Sequence, residues 1–119
     1  MYNEGTIIAL SSPPGSGAIS IIRLSGKDSI SKTDKFFVSK SGKKLKDCKG
    51  HSISYGNFFL GKEVLDEVVI SLYKGPHSYT GEDVVEISCH GSNYIQQEII
   101  LSFTNLSLIH ISEPTRPNE

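Results

Sequence analysis

Two apolar, β-branched runs open the chain, Thr6-Ile-Ile-Ala-Leu10 and Ala18-Ile-Ser-Ile-Ile-Arg-Leu24, separated by Ser11-Ser-Pro-Pro-Gly-Ser-Gly17. The runs predict strands, and the prolines and glycines between them predict a loop, so the strands either pair as a hairpin or flank a binding loop. Ser25-Gly-Lys-Asp28 then marks the start of a short amphipathic helix that carries Ile30, Thr33 and Phe37 on one side and ends near Phe37. Residues 38–50 are lysine-rich and nearly free of apolar side chains, which predicts a solvated connection; the alternative is a basic loop facing RNA. His51–Phe59 and Val64–Tyr73 follow as two strands around a turn at Gly61-Lys62, with Val68, Ile70 and Leu72 sharing a face. Gly75–Gly81 interrupts the pattern, and Val84–Cys89 resumes it as a fifth strand. His90-Gly-Ser-Asn93 leads into a second helix, with Asn93 as cap, Gln96 as its reciprocal partner, and Ile95, Ile99, Phe103 and Leu106 at helical spacing. About five strands and two helices without βαβα alternation predict an α+β fold with a mixed or antiparallel sheet.

At 119 residues and 37% hydrophobic content the chain fits a single domain, large enough to bury roughly two thirds of its unfolded surface. A net charge of -1 supplies no overall field for polyanions, so tight nucleic-acid binding by this chain alone is disfavoured and RNA contact is expected to need a partner domain. Cys48 and Cys89 are far apart and form no C-x-x-C, which predicts free thiols. The N-terminal residues lack a basic leader, and their apolar run is far short of the ~20 residues that span a bilayer. A cytoplasmic protein is expected.

Three sets of residues are candidates for chemistry. The loop Pro13-Pro-Gly-Ser-Gly17 resembles a phosphate cradle only superficially, because a P-loop needs a following Lys-Ser/Thr and a helix, whereas a strand follows here. Cys89 and His90, with His77 and Asp83, suggest a thiol hydrolase or a metal site. Adjacent strand residues point to opposite faces, however, so Cys89 fits a core position and no catalytic or metal-ligating set is expected. Arg23 and Glu86 are each a charge on a largely apolar strand face. Either they pair with one another across the sheet or stand in solvent, or they form the floor of a pocket. A carboxylate accepts parallel hydrogen bonds from an amidine-like ring edge, and a guanidinium offers a fork to carboxylates or carbonyls, which suits a heteroaromatic ligand with an acidic tail.

The segments SSPPGSGAISIIRLSG (residues 11–26) and GPHSYTGEDVVEISCHGS (residues 75–92) together resemble the N-terminal domain of the MnmE family of tRNA-modification GTPases, also called TrmE. The resemblance spans roughly residues 4–104, and residues 1–105 are expected to form the domain. It implies the folate-binding fold of tetrahydrofolate-dependent aminomethyltransferases, a homodimer, and a bound 5-formyl-tetrahydrofolate or related tetrahydrofolate contacted by Arg23 and Glu86. It further implies that GTP, potassium and magnesium belong to a G domain outside this chain, which is therefore not catalytic alone. A flavoprotein of the MnmG type would join the full-length protein in modifying C5 of the wobble uridine of tRNA. The family pattern should then run on to a lysine that completes the folate site and into a helical domain. Here it gives way to Leu106–Glu119, which resembles translated adapter sequence and is expected to be a disordered, non-family tail. The competing expectation is a purely structural oligomerisation domain without ligand.

Overall fold

A computed structural model describes residues 6–12, 17–75, 81–106 and 109–111, the last three by their backbone alone. The strands β1 (Thr6–Leu10), β2 (Ile19–Ser25), β3 (Phe37–Ser39), β4 (Ser52–Leu60), β5 (Glu63–Tyr73), β6 (Val84–His90) and β7 (Ile109–Ile111) form one sheet in the order β3-β4-β5-β6-β2-β1-β7. All neighbours are antiparallel except β7, which runs parallel to β1. Helices α1 (Ser29–Thr33) and α2 (Asn93–Thr104) and a 3₁₀ turn at Leu45–Asp47 complete the described fold. The class is α+β, as the unalternated order of elements predicts.

Period-two alternation decides which side of the sheet is covered. Ile22 and Leu24 on β2, Val85, Ile87 and Cys89 on β6, and Val68, Ile70 and Leu72 on β5 are all buried. They join Ile30, Leu45, Ile99 and Phe103 in a single core. Helices and 3₁₀ turn therefore lie against one face. The rings of the buried Phe58 and Phe103 meet there with the partly buried Phe36 at centroid distances of 5.1 to 5.9 Å, and a fully buried apolar side chain such as Phe58 or Phe103 contributes about 1.5–3 kcal/mol. The opposite face, made of the alternate residues, is open in that no helix among the described residues covers it. On it Ile19 is 63% exposed and Ile53 74% exposed, with Ile7, Val38 and Tyr55 exposed beside them.

Gly61 takes a left-handed φ of +66° at the β4–β5 turn, a conformation that costs glycine nothing. The turn falls at the predicted Gly61-Lys62. Elsewhere the structure departs from the sequence pattern. Phe37 does not continue α1, which stops at Thr33; it enters β3, opposite Phe58, where its ring reaches the core from the sheet. The lysine-rich connection holds β3 and the 3₁₀ turn, because Leu45 is fully buried and anchors it. Helix α2 is capped by Ser92, whose hydroxyl accepts from Ile95 N at 3.3 Å, and not by Asn93. Gln96 is accordingly no capping partner; its side chain donates to Ser20 Oγ inside the core. Of the segment 106–119, Ile109–Ile111 form β7, and residues 112–119 lie outside the described residues.

Candidate functional site

The two long sequence motifs are neighbours in space. Strand β2 carries residues 19–25 of the first, β6 residues 84–90 of the second, and the two strands pair over their whole length from Ile19 opposite His90 to Ser25 opposite Val84. Both ends of the ladder are tied by further bonds. At one end Gly17 N donates to Gly91 O at 3.1 Å and Gly91 N to Ala18 O at 3.2 Å. The contact is so close that a Cβ on Gly91 would lie 2.1 Å from the Gly17 carbonyl oxygen, so only glycine fits there. At the other end Gly26 N and Ser29 Oγ both donate to Asp83 O, at 2.9 and 3.1 Å. Asp83 also accepts from Gly75 N through its carboxylate.

In the middle of this ladder Arg23 stands directly opposite Glu86 on the open face. Arg23 Nη2 donates to Glu86 Oε2 at 2.8 Å, and Arg23 Nε to the same oxygen at 3.2 Å. The ion pair across the sheet, one of the alternatives left open by the sequence, is thus present. Both bonds fall on one carboxylate oxygen, and among the described residues Oε1 accepts none. The side chains are 42% and 22% exposed, so both retain access to a ligand. Ser71 faces Glu86 from β5 and Ala9 faces Arg23 from β1, giving a row of small neighbours on either side of the charges. Ser71 was legible only as a non-core position of β5, since its distance from Glu86 depends on a pairing that spacing does not reveal.

Two register rows along the same face, Ile19, Glu67, Val69, Ser88 and His90 line a shallow cleft of about 160 Å³ that also reaches Cys89. His90 Nδ1 lies 2.7 Å from Asp66 Oδ1, and His90 N donates to Asp66 Oδ2 at 2.8 Å. The Asp66 carboxylate, whose side chain is nearly covered, thereby touches the imidazole through one oxygen and holds the backbone N–H of the same residue through the other. Cys89 points the other way, into the core, and is buried. Burial first, and the charge of Asp66 second, push its thiol up to about 11. Cys89 and His90 are on opposite faces, as alternation predicts, and His77 lies outside the described residues. Among the described residues no group of three or more His, Cys, Asp or Glu side chains is arranged to hold a metal ion.

The state of Cys89 has a measurable consequence. A thiol whose pKa is raised in the folded state favours folding below its unfolded value, near 8.5, and loses that contribution as pH rises toward 11. Stability is expected to fall between pH 9 and 11 in urea titrations, and Cys89→Ala is expected to flatten that fall. In the folded chain at pH 8, iodoacetamide is expected to modify the half-buried Cys48 well before Cys89; equal rates would contradict the burial.

The sequence model described as "GTP-binding protein TrmE N-terminus" matches residues 6–115. The chain belongs to the TrmE N-terminal family. Among curated relatives, the tRNA modification GTPase MnmE of Flavobacterium johnsoniae is 49% identical over 100 residues, covering 84% of this chain and 22% of that protein. The MnmE of Bacteroides thetaiotaomicron is 48% identical over 99 residues, 82% of this chain and 21% of the relative. That of Clostridioides difficile is 42% identical over 91 residues, 76% and 20%. The chain thus spans about a fifth of the length of the curated relatives it matches. As a TrmE N-terminal chain it carries residues 19–25 of the first motif and 84–90 of the second on the paired strands β2 and β6. No helix among its described residues is long and apolar enough to cross a membrane.

Proposed function

We propose that this chain binds a tetrahydrofolate of the 5-formyl type on the open face of its sheet, and that two copies associate through that face. The protein of which it is the N-terminal module would then be a cytoplasmic tRNA-modifying GTPase. With a flavoprotein partner of the MnmG type, that protein would act on C5 of the wobble uridine, with GTP, potassium and magnesium held by domains beyond this chain. The observation that carries the reading is the partly exposed Arg23–Glu86 pair in register on the face away from the helices, with one carboxylate oxygen that accepts nothing among the described residues. Glu86 Oε1 suits the N–H donors of a pterin edge, and the remaining N–H groups of Arg23 suit the carboxylates of an acidic tail. The folate supplies a one-carbon unit, and this chain's residues bind and orient it. Likeness to the folate-binding fold of aminomethyltransferases is part of the same proposal.

Dimerisation is supported by the exposed Ile7, Ile19, Ile53 and Tyr55 on that face. Water-exposed apolar side chains grouped on one side of a sheet gain free energy when a second copy covers them, and a stable two-fold pair needs about 800 Å² per partner. Calorimetric titration of 5-formyl-tetrahydrofolate into the chain is expected to give micromolar binding that weakens when the protein is diluted below its dimer dissociation constant. A folded dimer that binds no folate would instead leave a purely structural oligomerisation domain.

A further inference from the structure

The charge of this chain is divided unequally. Residues 27–49 hold eight lysines against three acidic residues, a local net of +5 in a chain whose total is -1. In a mobile loop such a run is a solvated surface, but here the backbone that carries it is clamped. Leu45 is buried in the core. The Asp34 carboxylate accepts from Leu45 N at 2.8 Å and from Lys46 N at 3.1 Å. Lys74 Nζ, from the residue that follows β5, donates to the carbonyls of Lys46 and Cys48. Helix α1 and the 3₁₀ turn are thereby held side by side.

Between them runs a groove of about 300 Å³ lined by Ser31, Asp34, Lys35, Lys44 and Lys46. The three lysines are exposed, and among the described residues the ion pairs are Arg23–Glu86, Lys40–Glu67 and His90–Asp66, none of which involves them. Three exposed lysines rooted in a clamped backbone around one groove, with the one carboxylate accepting from backbone N–H groups, form an anion-attracting surface that gives up little backbone freedom on binding. Among the described residues no aromatic ring lines the groove to stack on bases, and lysine acts as a point charge without a bidentate fork for base edges. The chemistry matches the phosphate backbone of a helical RNA stem.

We infer that the groove between α1 and the 3₁₀ turn is a docking surface for the phosphate backbone of structured RNA, separate from the open face of the sheet. The choice of RNA over other polyanions rests on the proposed membership in a tRNA-modifying system. With a chain net charge of -1 the contact is weak alone and adds to contacts made by other domains.

The test is fluorescence anisotropy of a labelled tRNA transcript titrated with the full chain between 25 and 150 mM salt. The expected result is binding in the range of about 10–100 µM at low salt, within the non-specific regime. The K35Q/K44Q/K46Q variant is expected to weaken it at least tenfold and to reduce the slope of log affinity against log salt by about 2 to 3, one counterion-release increment per lysine. Its melting curve and its response to 5-formyl-tetrahydrofolate should match the wild type, which separates failure here from failure of the folate site. No tRNA binding by the wild type, or an unchanged salt slope in the variant, overturns the inference. Equal competition by polyglutamate of the same total charge also overturns it, in favour of an acidic protein segment.

Discussion

Gly91→Ala is expected to destabilise the chain by about 3 kcal/mol, lowering the melting temperature on the order of 10 °C. The new Cβ would sit 2.1 Å from Gly17 O and 2.5 Å from Gly17 C, both backbone atoms that no rotamer change can move. Relief requires the start of β2 to separate from the end of β6, at the expense of the two hydrogen bonds between Gly91 and the Gly17–Ala18 backbone. Gly17→Ala is the matched control, because a Cβ there meets nothing within 4 Å. Urea titration of the pair checks the account: similar losses in both variants would mean that loop flexibility, and not the close approach at Gly91, sets the requirement for glycine.

Glu86→Ala is expected to weaken 5-formyl-tetrahydrofolate about 10- to 100-fold while costing the fold no more than about 1 kcal/mol. The two magnitudes differ because the environments differ. In the free chain the Arg23–Glu86 pair is partly exposed, and exposed ion pairs contribute about 0–1 kcal/mol. Under a bound ring the same carboxylate accepts hydrogen bonds shielded from water, and removing a charged partner of that kind costs about 1.5–3 kcal/mol. Glu86→Gln is informative beside it, since an amide keeps one acceptor but loses the charge and presents a donor where the ligand also donates. Calorimetry and urea denaturation on the same preparations separate the two effects. A variant that loses stability and affinity in parallel would assign Glu86 to holding the sheet together.

The strands were legible because β-branched residues alternate with polar ones: the parity of Val68, Ile70 and Leu72 names the core face, and Gly61-Lys62 marks the turn. The end of α1 was not, since Ile30, Thr33 and Phe37 satisfy helical spacing whether or not the chain continues to wind, and the pull of Phe37 toward Phe58 across the sheet is a tertiary effect. Leu45 looked like one apolar residue in a solvated run; its burial depends on Asp34 holding the turn from outside the segment. Ser92 and Asn93 are both competent caps and the local pattern does not choose between them; in the structure Ser92 takes the cap, its hydroxyl accepting from Ile95 N. For the site, parity placed Arg23 and Glu86 each on a face, but their meeting requires β2 to pair with β6 across 63 residues of sequence, which no local pattern encodes. The Asp66–His90 contact was invisible for the same reason.

The most direct test of the central claim is the map of amide and arginine side-chain NMR shifts on adding 5-formyl-tetrahydrofolate to the isotopically labelled chain. The account predicts saturable shifts concentrated on β2 and β6, with the Arg23 Nε–Hε signal among the largest and the α1 groove unaffected. Saturating ligand that leaves residues 19–25 and 84–90 unmoved, or shifts confined to the helix-covered side, would contradict it.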